Sequence, residues 1–154
     1  MPFGRYFEEL HAGERVKHWP GRTITEFDDT LFSLLSMNQH PLHIDEHYAR
    51  STQHGQRLVE GPLVISLVVG LTQADLAGRS LAVREFRDIQ HLGPVFHGDS
   101  IYASSEVTAK HDDPDRPGCG LVTIETTAAN QRSEAVLSMK MTVVVPKHSG
   151  VEGG

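Results

Sequence analysis

Apolar residues change their period more than once along the chain, and each change marks a different kind of element. Between positions 13 and 25, short alternating segments flank the turn pair Pro20-Gly21, which predicts an opening strand or hairpin. Thr25 followed three residues later by Asp28 makes a capping box with Asp in place of the usual Glu or Gln. Behind it Phe27, Leu31, Leu34 and Leu35 recur at helical spacing, so a helix is expected to run to about Met37. The pattern then breaks over 38–56, a polar, His-rich stretch holding Pro41 and Gly55, read as a loop with a helical turn around 45–50. Gly61-Pro62 opens a second helix, with proline just inside its start and Gly78 just past its end. Its residues are apolar nearly all round, so it is expected to be enclosed.

Four strands are expected after it, at 81–89, 100–110, 119–130 and 135–145. Val122, Ile124, Thr126 and Ala128 alternate with more polar neighbours, which places one face inward. Asp112-Asp113-Pro114-Asp115-Arg116-Pro117-Gly118 and Asn130-Gln131-Arg132-Ser133 supply the turns. An apolar helix followed by an antiparallel meander implies an α+β layout, a curved sheet wrapped around one helix.

The 154 residues suit one domain, expected over 1–146, with 147–154 as a flexible C-terminal tail. A net charge of −6 argues against non-specific binding of nucleic acid, which needs basic patches to neutralise phosphates. The single cysteine, Cys119, has no internal partner for a disulfide. The opening residues show no basic region followed by an apolar run, and 58–76 is interrupted by Glu60, Gln73 and Asp75, too polar for a membrane span. A cytoplasmic location is expected.

The most informative stretch is Met37-Asn38-Gln39-His40-Pro41-Leu42-His43-Ile44-Asp45-Glu46-His47-Tyr48-Ala49. It resembles the signature of the MaoC-like hydratases, in which an acidic residue is followed five positions later by His, then by an apolar-Asp and an aromatic-Ala pair. Tyr6-Phe7-Glu8-Glu9-Leu10, Leu58-Val59-Glu60-Gly61-Pro62-Leu63 and Pro94-Val95-Phe96-His97-Gly98-Asp99-Ser100 are similar to further segments of that family, so the resemblance covers residues 6 to about 145. It implies a hot-dog fold and reversible hydration of a trans-2-enoyl-CoA thioester, without metal or other cofactor. The Met-Asn-x-His-Pro-Leu-His segment looks closest to members acting on branched dicarboxyl-CoA esters such as mesaconyl-CoA, itaconyl-CoA or β-methylmalyl-CoA.

Hydration needs a base for water, a proton for the α-carbon and a stabilised enolate oxygen. His43 suits the first, because an imidazole titrates near neutral pH, at about 6.5. The Gly61 amide suits the third, as an unpaired donor at a helix N-terminus where the absence of a Cβ lets substrate approach. Asn38 stands where the resemblance leads one to expect a carboxylate. A carboxamide takes no proton, so Asn38 is read as orienting water while His43 alone shuttles the proton. Glu60, Pro62 and Leu63 beside Gly61, with Phe96, His97 and Gly98, are expected to line the substrate site. Arg84, Phe86 and Arg87 are expected there too, since a guanidinium suits bidentate binding of carboxylate or phosphate.

Bland readings stand beside these: His43 as an ordinary loop histidine, Glu60 as a first-turn charge on the helix dipole, Arg84 and Arg87 as surface charges. His40, His43, Asp45, His47 and His54 have weak metal spacing, but Pro41 breaks the helix before them and no Cys joins them, so no metal is expected. Two other functions compete with hydration: a hot-dog thioesterase relying on Glu60, and a non-catalytic acyl-CoA-binding subunit. A single unit of this size leaves a sheet edge open, so a homodimer or a higher oligomer is expected, with no nucleic-acid or membrane partner.

Overall fold

The computed structural model describes residues 3–150, so the last four positions of the expected tail lie outside the described residues. Four long strands are all antiparallel: β3 (Ala82–His91), β4 (Ser100–Asp112), β5 (Cys119–Ala129) and β6 (Ala135–Pro146); only β4-β5-β6 is a meander, and β3 crosses over to pair with β6 instead of leading into β4. Two short strands, β1 (Arg15–Lys17) and β2 (Arg22–Thr23), complete a sheet ordered β1-β4-β5-β6-β3, with β2 also on β4. β1 and β2 do not pair with each other. Arg15 stands opposite Glu106 and Arg22 opposite Ile101, so the Pro20-Gly21 turn carries the chain along β4 instead of closing a hairpin.

The inward alternation holds: Val122, Ile124, Thr126 and Ala128 are fully buried. With Leu137, Met139, Met141, Val143 and Val145 they face α4 (Gly61–Leu71), whose Val64 and Val68 fill the concave side. Fully burying one such side chain contributes roughly 1.5–3 kcal/mol, so this face is the main stabiliser of the sheet. A row of hydrogen bonds crosses the core beside it. Asp75 accepts from His18 Nδ1 (2.8 Å), His18 Nε2 meets Ser105 Oγ (2.8 Å), and Ser105 meets Thr126 (2.7 Å). The order is that of a nucleophile triad, yet Ser105 is only 4% exposed, with its hydroxyl bonded to both His18 and Thr126.

Helix α4 departs from expectation in its length and in its burial. Helix α4 stops at Leu71, seven residues before Gly78, because Thr72 turns its hydroxyl back onto Val69 O and the chain tightens into turns. It is also not enclosed: only Val64 and Val68 are buried, while Leu63, Ile65 and Leu67 are half-buried. The sheet curls around one side of the helix and leaves the other open.

Helix α1 (Glu26–Ser36) begins at the predicted capping box, with Thr25 and Asp28 reciprocally bonded, and ends at Met37 in the left-handed conformation. Its inward face is polar and its apolar stripe turns outward. The buried residues are Asp29 and Ser33, whereas Phe27, Leu34 and Leu35 are each more than 70% exposed. The following stretch forms two short helices, α2 (Pro41–Ile44) and α3 (Glu46–Arg50), capped by His40 and Asp45.

Candidate active site

His43 lies on α2, where Pro41 starts the turn and the His40 ring accepts from Leu42 N–H. Its Nδ1 is 2.6 Å from the carbonyl oxygen of Leu58. A carbonyl only accepts, so Nδ1 carries the proton and Nε2 keeps its lone pair. Leu58 N–H in turn donates to Leu42 O, and Leu58 forms an isolated bridge with Phe96. One backbone stretch, 58–61, therefore holds His43 at one end and opens helix α4 at the other.

At that opening Gly61 N–H makes no hydrogen bond to any other described residue, as expected for a first-turn amide. A cavity of about 250 Å³ lies over it, lined by Leu58, Val59, Gly61, Val64, His91 and Pro94 among others. A larger hollow of about 540 Å³ lies between Arg15, Lys17, Glu106, Glu125 and Thr127, with none of the expected site residues in its lining. Of the expected site residues, the smaller cavity takes in Gly61, while His43 is tied to its rim through Leu58.

Asn38 follows α1, and its Oδ1 accepts from His40 N–H at 3.2 Å. That contact commits the oxygen to the loop and leaves the NH2 as the available donor. Glu60 is 1% exposed. Its Oε1 accepts from Ser33 Oγ (2.6 Å), and its N–H donates to Asp29 Oδ1 (2.9 Å). The other Asp29 oxygen accepts from His97 Nε2 at 2.8 Å. The polar inward face of α1 follows from this: Asp29 and Ser33 turn inward to satisfy the residue that precedes Gly61, because an unpaired buried polar group costs roughly 1–3 kcal/mol.

The structure thus brings His43, Gly61 and Phe96 together through Leu58, and His97 to Glu60 through Asp29. Pro62 is exposed on the first turn of α4, and Leu63 packs against the core. Gly98 has φ of 91°, which only glycine adopts freely, and donates to Ile24 O. On β3, Arg84 pairs with Asp113 (2.8 Å) and Asp115 (3.2 Å), Arg87 lies 3.9 Å from Glu85, and Phe86 is 44% exposed. The structure joins none of these three to the cavity over Gly61.

Two features escape the sequence pattern. Arg57, 13% exposed, pairs with Glu26 on α1 and Glu46 on α3. Its hydrogen bonds hold both carboxyls below the usual glutamate range, and Glu26 raises the guanidinium in return. His91, the last residue of β3, sets its ring against Gly61: a Cβ added to that glycine would lie 2.8 Å from its Nε2 and Cε1. Neither contact has a local signal, since the partners are separated by 11 to 31 residues. Among the described residues no group of three or more His, Cys, Asp or Glu side chains is placed to hold a metal, and no helix is long and apolar enough to cross a membrane.

Comparison with known proteins gives this geometry its context. The chain is 32% identical to the β-methylmalyl-CoA dehydratase of Chloroflexus aurantiacus over 82% of its own length and 36% of that protein. It is 31% identical to the mesaconyl-CoA hydratase of Cereibacter sphaeroides, over 94% of this chain and 42% of that one. The chain therefore spans less than half the length of these two relatives. The (R)-specific enoyl-CoA hydratase of Rhodospirillum rubrum is 30% identical over 92% of both chains. In solved structures, a Mycobacterium tuberculosis protein described as a double hot-dog fold superposes with a TM-score of 0.85 at 22% identity, over 98% of this chain and 47% of that one. The sheet around α4 is one hot-dog unit. Residues 8–130 match the family model described as the MaoC like domain, and the chain belongs to that family.

Proposed function

We propose that the protein is a hydro-lyase that reversibly adds water across the 2,3 double bond of an enoyl-CoA thioester. One observation carries this reading: the 58–61 backbone fixes His43 as an Nε2 base and presents an unpartnered helix-opening amide at Gly61. The relatives' names support the same chemistry, since they act as hydratases or dehydratases on CoA esters.

In the forward direction His43 Nε2 takes a proton from water as the water oxygen bonds to C3. The C2–C3 π pair moves towards C1, and negative charge gathers on the thioester oxygen. Gly61 N–H donates to that oxygen, aided by the α4 dipole, and keeps its proton. The enolate then collapses and C2 takes the proton from His43 Nε2, so one water is added and the imidazole is restored. Asn38, with its oxygen held by His40 N–H, offers its NH2 to orient the water.

The substrate is read as a branched dicarboxyl-CoA such as mesaconyl-CoA or itaconyl-CoA. A neutral residue at 38 avoids placing a second carboxylate beside an anionic acyl group, because buried like charges repel. Two relatives named for mesaconyl-CoA and β-methylmalyl-CoA support this choice.

The working unit is a homodimer. Every residue of β3 is exposed on the edge of the sheet, including Val83, Phe86 and Ile89, and one side of α4 is open. A second copy supplies what a double hot-dog chain carries within itself.

The test is a panel of straight-chain enoyl-CoAs beside mesaconyl-CoA and itaconyl-CoA, following loss of enoyl absorbance and release of free thiol together. Alkene loss without thiol release is expected, fastest with the dicarboxyl esters. Release of free thiol in step with the absorbance loss assigns thioester hydrolysis, and tight binding with no turnover assigns a binding subunit.

A further inference from the structure

We infer that His91 is a second donor to the thioester oxygen, completing with Gly61 a two-donor oxyanion site; the inference rests on the hydratase reading above. The geometry is bounded by the glycine. A Cβ on Gly61 would lie 2.8 Å from His91 Nε2. Standard backbone dimensions put that Cβ about 2.5 Å from the glycine nitrogen, so Gly61 N and His91 Nε2 stand no more than about 5.3 Å apart. An oxygen accepting from two nitrogens at about 2.9 Å each spans up to about 5.8 Å. That separation allows one carbonyl oxygen to accept from both.

Three further facts agree. His91 and Gly61 line the same 250 Å³ cavity. The ring nitrogens of His91, like Gly61 N–H, have no hydrogen-bond partner among the described residues. His91 also ends β3 opposite Leu137, so the ladder fixes its backbone while the ring stays free to face the ligand. In hydration, charge moves onto the thioester oxygen as the water oxygen bonds to C3. His91 Nε2–H and Gly61 N–H then donate to it without transferring a proton, and His43 conducts the proton traffic. Two convergent donors also fix the carbonyl plane, which sets the face of the alkene shown to the water.

The experiment compares wild type, His91→Phe and His91→Gln. Phenylalanine keeps a flat ring against Gly61 and removes the donor; glutamine restores an N–H. Removing one oxyanion donor costs on the order of 100-fold in kcat, with KM little changed, and glutamine is expected to recover much of that loss. The independent readout is the infrared carbonyl band of bound butyryl-CoA, a saturated thioester that needs no turnover. It is expected at lower frequency in wild type than in His91→Phe, and unchanged in His43→Ala. If wild type fails to hydrate any substrate while the band still moves with residue 91, the hydratase reading falls and the donor assignment stands. If the band is the same in wild type and His91→Phe, or if butyryl-CoA does not bind, the donor role is overturned.

Discussion

At the scale of single residues, the site depends on a missing atom. Gly61 has no Cβ, and the place where one would sit is occupied by the His91 ring, 2.8 Å away. The obstruction is the end of a side chain, not backbone, so Gly61→Ala is expected to push the ring aside without breaking the fold. Thermal melting should place its Tm within a few degrees of wild type, while steady-state kinetics show a fall in kcat of about 10- to 100-fold. An equal fall in Tm and activity would mean that the glycine serves packing alone. The motif from Asn38 to His43 and the glycine before Pro62 were legible because their types and spacing are local. His91 was not, because nothing near it in sequence announces a partner 30 positions earlier.

Among elements, the segment carrying His43 is short, exposed and fastened by few bonds. Arg57 joins it to α1 by pairing with both Glu46 and Glu26. Hydrogen bonds from Arg57 lower both carboxyl pKa values, so their contribution is present above the unfolded glutamate range and lost as pH falls through the lowered folded values. The protection of the 41–50 amides against hydrogen exchange, taken relative to the intrinsic rate at each pH, is therefore expected to fall on acidification below the ordinary glutamate range. Arg57→Ala should show the lowered protection already at neutral pH, with a global Tm nearly unchanged, because the carboxylates are exposed and screened. Exchange that is the same in both proteins at both pH values would contradict this. The sequence pattern located α1, the start of α4 and the four long strands well, since propensity, caps and period agreed, but it carried α4 seven residues too far. It left open which way α1 faces: helical spacing of Phe27, Leu31, Leu34 and Leu35 identifies an apolar stripe but not what covers it. The inward side was claimed instead by Asp29 and Ser33, whose hydrogen bonds to residue 60 are long-range.

For the whole molecule, the exposed apolar residues become informative. A single copy leaves α1's apolar stripe, one side of α4 and the whole of β3 uncovered. Apolar exposure on that scale marks an interaction surface, and an open strand edge invites pairing. Ile89 is 39% exposed in the single chain and outside the buried core, so Ile89→Lys leaves that core intact. Light scattering after gel filtration is expected to show a dimer for wild type and a shift towards monomer for the variant. An unshifted dimer would move the interface off β3.

The most direct test of the central claim is the rate at which the enoyl absorbance of a mesaconyl-CoA solution is lost with His43→Ala in place of wild type. The account predicts a fall of about 100- to 10,000-fold at neutral pH with the fold intact by circular dichroism. A variant that hydrates the substrate at the wild-type rate would remove the imidazole from the chemistry, and the proposed mechanism with it.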